Sequence, residues 1–156
     1  MSHMFISYSR KDSACVNAVA DNMTRNDFPV WIDTESIKIT DEWLEKIESA
    51  INGAKVFLLF WSKNASESDY VGHELKIAKM RQVEGHLSIL VVMLDDTELP
   101  TKHLQAYDMK HGCTPMSIAN FINELKPEWK AFSRKKPLNA QTHVEVADGW
   151  VSVLFD

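Results

Sequence analysis

The stretch KVFLLFWS, at residues 55–62, is almost continuously apolar and decides the fold class of the chain. A strand with one solvated face alternates apolar and polar residues, whereas a strand covered on both faces is apolar throughout. The stretch therefore predicts a central strand of a parallel sheet that has helices packed on both of its faces.

Weaker strand patterns and amphipathic helix patterns alternate on both sides of this central strand. The further strands are expected over about 4–8, 28–33, 87–94 and 104–109. The helices are expected over about 13–25 and 40–53, from a serine cap at 66–68 onward, and from Thr114 to Pro127. Such an alternation predicts right-handed crossovers and a ligand site at the carboxyl ends of the strands.

The C-terminal part of the chain does not continue the alternation. Residues 133–137 read as a linker, and strand-like segments at 142–146 and 150–155 flank a turn pattern, which predicts a β-hairpin. We therefore expect one domain over residues 1–129. Residues 130–156 are expected to be a linker with a hairpin appendage, or the start of a further region.

Composition excludes several classes of function. The formal net charge is −5 and no polybasic run is present, so neither nucleic-acid binding nor attachment to an anionic membrane is expected. The apolar runs are too short to cross a bilayer, and the N-terminus lacks a signal-peptide layout. Cys15 and Cys113 are far apart in the sequence, so neither a disulfide framework nor a zinc site is expected. Together these features favour a cytoplasmic protein.

The residues that follow the predicted strands are mostly polar and are the first candidates for a ligand site. They are residues 7–10, 33–36, 62–64 and 95–96. Asp95 and Asp96 form an acidic pair of the kind that binds magnesium in receiver domains, but those domains carry the pair after the first strand. The histidines lack the spacing of a ligand set, so we expect no metal site.

Three segments resemble, in order, the TIR (Toll/interleukin-1 receptor) domain family of the bacterial NAD-cleaving type. FISYSRKD at 5–12 matches the family's first box, and VWID at 30–33 matches its second strand. SDYVGHEL at 68–75 matches the S-x-W-x-x-x-E-L pattern that opens the third helix in enzymatic members. Residues 34–41 fall where the family has a mobile loop before its second helix. The order and spacing hold over about 4–126, so the chain is identified as a member of this family.

The resemblance implies a flavodoxin-like three-layer α/β fold, with a central parallel sheet of about five strands and the hairpin as a C-terminal extension. It also implies cleavage of NAD⁺ at the nicotinamide–ribose bond, to nicotinamide and ADP-ribose or a cyclic ADP-ribose isomer. NAD⁺ is then the substrate, and no cofactor is expected. Such activity implies a role in bacterial anti-phage signalling, with an effector that responds to the product. It often needs head-to-tail self-association with other TIR domains, in which residues 34–41 complete a neighbour's site.

The resemblance makes Glu74 the catalytic carboxylate and implies that Tyr8, Ser9 and Arg10 line the nicotinamide end of the site. Many enzymatic members carry tryptophan four residues before the glutamate, whereas this chain carries Tyr70, an aromatic ring of smaller area. Tyr70 and Glu74 share one side of a helix because four residues are close to one turn. The expected substrate contacts are aromatic faces and polar groups at strand ends: Tyr8, Ser9, Arg10, Trp31, Asp33, Glu35, Ser62 and Tyr70.

The chemistry explains why one carboxylate suffices. The nicotinamide of NAD⁺ is already cationic and leaves as a neutral molecule, so no general acid is needed, unlike in ordinary glycoside hydrolysis. The ribose develops positive charge, which a fixed carboxylate stabilises. No G-x-G-x-x-G pattern follows any predicted strand, so the choice of NAD⁺ as substrate comes from the resemblance alone.

Two other functions stay open at this level. The chain could be a TIR scaffold that signals by self-association without catalysis, in which case it releases no nicotinamide. It could also be similar to nucleoside deoxyribosyltransferases, which attack a glycosidic carbon through a glutamate on a related fold. The first box and second strand disfavour the transferase, and the pair of Tyr70 and Glu74 disfavours the pure scaffold.

Overall fold

A computed structural model describes residues 2–33, 39–134, 145–147 and 150–152. The strands are β1 (His3–Ser7), β2 (Val30–Ile32), β3 (Ala54–Trp61), β4 (Ser88–Met93), β5 (Gln105–Asp108), β6 (Glu145–Ala147) and β7 (Trp150–Ser152). The helices are α1 (Ser13–Arg25), α2 (Asp41–Asn52), α3 (Lys63–Ser66), α4 (Asp69–Val83) and α5 (Pro115–Arg134), with a 3₁₀ turn at Arg10–Asp12.

The main sheet has five parallel strands in the order β2-β1-β3-β4-β5, with β3 at its centre. Side chains alternate along β3, so that Leu58 and Phe60 lie in the cluster under α1 and α5, while Phe57 and Leu59 lie in the cluster under α2 and α4. Both clusters are buried, which is why β3 has no polar face. The predicted three-layer parallel α/β fold is confirmed.

Side-chain caps determine where the two helices nearest the later site begin. The Thr40 hydroxyl accepts a hydrogen bond from the Trp43 backbone N–H at 3.1 Å, and the Ser68 hydroxyl accepts one from the Val71 N–H at 3.3 Å. Each bond satisfies one of the donors that the first helical turn leaves without a partner. A serine cap was expected within 66–68, and Ser68 forms it, while Thr40 caps the helix expected over 40–53.

The last helix is longer than the sequence predicts, because α5 continues through Pro127 to Arg134. Proline inside a helix removes one hydrogen bond and costs about 3 kcal/mol or more. Burial of Phe132 and partial burial of Trp129 in the α1–α5 cluster offset that cost. The prediction that the helix ends at Pro127 is therefore wrong. The first two residues of the predicted linker are helical, and the division of the chain after residue 129 stays a prediction.

Two further features were not expected from the sequence. The four-residue helix α3 is too short to show a hydrophobic period, and it begins at the Ser62 cap. Cys15 and Cys113 form a disulfide bond between α1 and the segment before α5, with 5.6 Å between their Cα atoms. No disulfide framework was expected from the sequence, and this single bond was missed, because the fold brings together two segments that are 98 residues apart.

The C-terminal strands β6 and β7 pair antiparallel, with Val146 opposite Val151. The predicted hairpin is confirmed for these strands, while its turn at 148–149 and its outer residues at 142–144 and 153–155 lie outside the described residues. Within the described part of the chain, every helix is too short or too polar to cross a membrane.

Candidate active site

Glu74 lies in the second turn of α4 and is buried, with 3% of its surface exposed. Its Oε1 accepts a hydrogen bond from the Ser7 hydroxyl at 2.7 Å, which ties α4 to the last residue of β1. Val71 and Leu75 on the same helix pack against the sheet, so the helix is held with Glu74 directed at the carboxyl end of β1.

Burial raises the pKa of Glu74 from 4.5 to about 8. The hydrogen bond from Ser7 and the positive charge of Arg10 oppose this shift, while the negative charge of Asp33 adds to it. The carboxyl group therefore keeps its proton to a higher pH than an exposed glutamate does, and a cation beside it favours the ionised form.

Arg10, Tyr8 and Asp33 form a polar group beside Glu74. The guanidinium carbon of Arg10 lies 4.5 Å from the centre of the Tyr8 ring, and its Nη2 lies 3.6 Å from Oδ2 of Asp33. The Tyr8 hydroxyl donates to the backbone carbonyl of Asp33 at 3.1 Å, and burial raises the pKa of this hydroxyl. The arrangement places a cation on an aromatic face next to a buried carboxylate.

Asp33 also connects the end of β2 with α2. Its Oδ2 accepts a hydrogen bond from Nε1 of Trp43 at 3.1 Å, and both groups are buried. The Trp43 ring then meets the half-buried Tyr70 ring edge-on, with 5.1 Å between centroids and planes 82° apart. Tyr70 is thus linked through Trp43 to Asp33, and it lies one helical turn before Glu74.

The remaining predicted site residues have local contacts of their own. The buried Ser9 hydroxyl accepts from the Lys11 N–H at 3.3 Å and caps the 3₁₀ turn. Trp31 stacks on Phe5, with 4.8 Å between centroids and planes 12° apart. These contacts give Ser9 and Trp31 structural roles, and their predicted substrate contacts stay predictions.

Ser62 and Glu35 complete the set of predicted site residues. The Ser62 hydroxyl donates to Oδ2 of Asp12 at 2.5 Å and accepts from the Ala65 N–H at 3.0 Å. These bonds tie the end of β3 to the 3₁₀ turn and to the start of α3, and the predicted substrate contact of Ser62 stays a prediction. Glu35 lies outside the described residues.

Two residues of this group were not given their roles from the sequence: Ser7 was a strand-end candidate without a predicted link to Glu74, and Trp43 was not a candidate. Ser7 is the last residue of β1, where the chain becomes polar. Side chains two residues apart on a strand point to the same side, so Ser7 lies on the same side of the sheet as Phe5, toward α2 and α4. That period was the available signal. Trp43 was expected only as helix core, although a buried indole N–H needs an acceptor.

Within the described ranges, no group of three or more histidine, cysteine, aspartate or glutamate side chains could hold a metal ion. The predicted acidic pair near β4 has local contacts instead. Asp95 accepts hydrogen bonds from the backbone N–H groups of Lys63 at 3.0 Å and Thr97 at 2.9 Å. Asp96 lies 3.2 Å from the ammonium group of Lys110.

The fold and the polar group together define an α/β domain with a candidate ligand site at the carboxyl edge of a parallel sheet. Within that class the chain belongs to the TIR domain family, because a family model described as TIR domain matches residues 4–125. The family membership predicted from the motifs is confirmed.

Two curated relatives match part of the chain. The 2′ cyclic ADP-D-ribose synthase AbTIR of Acinetobacter baumannii (strain 1295743) is 27% identical over 90 residues, which cover 57% of this chain and 34% of the relative. The 2′ cyclic ADP-D-ribose synthase BtTIR of Bacteroides thetaiotaomicron is 28% identical over 89 residues, which cover 56% and 31%. The matched segments thus span about a third of the length of either relative.

Solved structures resemble the fold. The TIR domain of the Toll-related receptor TRR-2 from Hydra magnipapillata has a TM-score of 0.64 at 13% identity, covering 86% of this chain and all of that domain, 100%. The RPS4 and RRS1 TIR domain heterodimer has a TM-score of 0.62 at 13% identity, and the match covers 81% of this chain and 97% of that chain. A flavodoxin-like domain from Synechococcus has a TM-score of 0.60 at 12% identity, and the match covers 85% of this chain and 99% of that chain. At these identities the likeness establishes the flavodoxin-like fold.

Proposed function

We propose that this chain is an NAD⁺ nucleosidase that cleaves the nicotinamide–ribose bond, with Glu74 as its catalytic carboxylate. The observation that carries the proposal is the burial of Glu74 at the carboxyl edge of the sheet, 2.7 Å from Ser7 and beside Arg10 and Tyr8. A titratable side chain with a strongly raised pKa in such a position is the usual mark of a reactive group.

The reaction follows from charge. The bond between the ribose carbon and the nicotinamide nitrogen breaks, and its electron pair goes to the nitrogen, so that a cationic ring leaves as neutral nicotinamide. The ribose is left with oxocarbenium character, which the buried carboxylate stabilises more strongly than a solvated one. Water then gives ADP-ribose, or a hydroxyl of the same molecule gives a cyclic isomer. The names of the two curated relatives support cyclisation.

The raised pKa of Glu74 fits this charge argument. A pKa of about 8 leaves about a tenth of the carboxyl groups ionised at pH 7 in the empty site. The positive charge of the bound nicotinamide ring lowers that pKa and favours the carboxylate. We therefore expect kcat/KM to rise with pH as the free protein loses the Glu74 proton.

The neighbouring residues supply binding surfaces in this proposal. Tyr70, which is half-buried, offers an aromatic face to a ring of the substrate, and Tyr8 holds the Arg10 guanidinium against its own ring. Arg10 is a positioning cation for the negatively charged dinucleotide, held in place by Tyr8 and Asp33.

The proposal includes a setting for the reaction. The domain would act in the bacterial cytoplasm in anti-phage immune signalling, through an effector that responds to the nucleotide product. It would associate head to tail with other TIR domains, with residues 34–41 of one copy completing the site of the next. The heterodimer of the RPS4 and RRS1 TIR domains is one precedent for association between domains of this fold.

Mass spectrometry of purified protein incubated with NAD⁺ tests the reaction directly. Glu74→Gln keeps the side-chain shape and removes the charge, so nicotinamide release should fall by at least about 100-fold, or about 2.7 kcal/mol in the barrier. Glu128→Gln is the matched control, because Glu128 is also buried, at 2% exposure, but lies in α5. Full activity of Glu74→Gln contradicts the proposal, and absence of nicotinamide release by the unchanged protein favours a non-catalytic scaffold.

A further inference from the structure

Ser7 is completely buried and donates its hydroxyl hydrogen to Oε1 of Glu74 at 2.7 Å. It is the last residue of β1, and its strand position pairs with Leu59 in β3. A hydrogen bond from a hydroxyl group to an ionised carboxylate is short and about twice as strong as a neutral one. The contact therefore acts on the orientation of Glu74 and on its charge.

The groups around Glu74 fall into two classes. Asp33, at the end of β2, and the buried hydroxyl of Tyr8 are negative or become negative on titration. Arg10, in the 3₁₀ turn, is the cation that faces the carboxylate, while α2 contributes the neutral Trp43 to Asp33. The strands beneath α4 contribute apolar side chains, such as Leu59 and Val91. The hydrogen bond from Ser7 and the positive charge of Arg10 thus favour the ionised form of Glu74.

We propose that Ser7 is a positioning residue for Glu74, whose hydroxyl fixes one carboxylate oxygen, favours the ionised form and leaves the second oxygen for the ribose. The inference rests on the proposed function in so far as Glu74 is the catalytic group. A positioning role depends on the hydrogen that the Ser7 hydroxyl donates to Glu74. A packing role depends only on the volume of the Ser7 side chain. A hydroxyl donor to a charged group shifts the titration of that group by about one to two pH units.

The pH profile of Ser7→Ala separates these roles. In the unchanged protein, kcat/KM for nicotinamide release should rise with a midpoint near the pKa of Glu74, about 8. In Ser7→Ala the midpoint should move up by about one to two pH units, so that activity is about ten- to a hundredfold lower at pH 7 and recovers at high pH. A packing defect lowers activity by a similar factor at every pH. An unchanged midpoint overturns the proposal.

A titration of the Glu74 carboxyl carbon by ¹³C NMR tests the same contact without turnover, with Glu74→Gln to assign the signal. Ser7→Ala should raise the midpoint, and Ser7→Cys, which keeps the size but has a weaker donor, should raise it less. If the midpoint moves but the unchanged protein does not cleave NAD⁺, the proposed function fails and the role of Ser7 in ionisation stands. If NAD⁺ is cleaved and the midpoint stays, the role of Ser7 fails.

Ser88→Ala is the matched control for both measurements. Ser88 is a buried serine, 8% exposed, in a neighbouring strand of the same sheet. Ser88 pairs in register with Val56 of β3, whereas Ser7 pairs with Leu59 of the same strand. Leu59 is three residues further along β3, so the two serines are offset by about 10 Å along the strand direction. We expect Ser88→Ala to leave the Glu74 midpoint unchanged, and a shift equal to that of Ser7→Ala contradicts the proposal.

Discussion

Among the residues that the structure describes, two glutamates are almost completely buried, and their surroundings differ. Glu74 in α4 is 3% exposed and Glu128 in α5 is 2% exposed. Glu74 contacts the last residue of β1, at the carboxyl edge of the sheet. Helix α5 follows a parallel strand, so it begins at that edge and runs back, and Glu128 is in its second half, toward the amino edge.

The comparison shows that burial of a carboxylate does not by itself make a site. Glutamate is rarely buried without a partner, and each of the two residues has at least one polar or electrostatic interaction. The difference is position: the carboxyl edge of a parallel sheet is where loops diverge and ligands bind. We therefore expect substitutions near Glu74 to change activity and substitutions around α5 to change stability.

The largest effect on stability is expected from Phe121→Ala in α5. Phe121 is 1% exposed and packs edge-on against Tyr107 with 5.0 Å between ring centroids. Removing this ring leaves a cavity and should lower the free energy of unfolding by about 3–5 kcal/mol, measured by urea denaturation. Nicotinamide release per folded molecule should stay within about threefold of the unchanged protein, because Phe121 lies in the cluster under α1 and α5, on the opposite face of the sheet from α4 and Glu74.

Phe121→Leu is the control if the alanine variant does not fold. It keeps most of the apolar volume, so its loss of stability should be smaller and the activity of its folded fraction equally unaffected. A tenfold loss of activity in fully folded Phe121→Leu contradicts the separation between the two regions.

Glu74→Gln should change the free energy of unfolding by less than Phe121→Ala does. The change should also have the opposite sign, because this variant is expected to be more stable at high pH. The folded-state pKa of about 8 lies above the ordinary 4.5, so between these values the folded protein holds a proton that the unfolded chain has released. The contribution of Glu74 to the free energy of unfolding therefore falls as the pH rises through this window. Above pH 8 the variant should be more stable than the unchanged protein by on the order of a few kcal/mol, and near pH 4.5 the two should be equal.

Urea denaturation from pH 5 to pH 9 measures this difference. Glu48→Gln, at an exposed position of α2, should leave the pH dependence unchanged, since its side chain is solvated. A difference between Glu74→Gln and the unchanged protein that does not grow with pH contradicts a raised pKa for Glu74.

The sequence predicts most of the fold because the determining signals are local. The apolar run of β3 predicts coverage on both faces, and Ser68 predicts the start of α4. The continuation of α5 through Pro127 depends on the packing of Phe132, which local signals do not contain. The disulfide between Cys15 and Cys113 depends on the meeting of α1 with the segment before α5, across 98 residues.

The candidate site is predictable in part for the same reason. The spacing of Tyr70 and Glu74 is a local pattern, and it matches a family motif. The bond between Ser7 and Glu74 joins positions 67 residues apart, and the bond between Trp43 and Asp33 joins a helix core position to a strand end. A motif identifies the carboxylate, but only the packed structure identifies the groups that orient it.

Trp43→Phe should have the smallest effect on stability of these variants. It tests whether a residue that contacts Asp33 and Tyr70, and not Glu74 itself, affects activity. The variant keeps an aromatic ring beside Tyr70 but removes the N–H that donates to Asp33 at 3.1 Å, so stability should fall by about 1–2 kcal/mol. Nicotinamide release per folded molecule should fall about three- to tenfold, because Asp33 and Tyr70 lose a shared support. Trp61→Phe is the matched control: its Nε1 donates to the Glu98 carbonyl at 2.8 Å, so it should lose similar stability and keep its activity. Equal activity losses in the two variants would mean that Trp43 supports the fold and not the site.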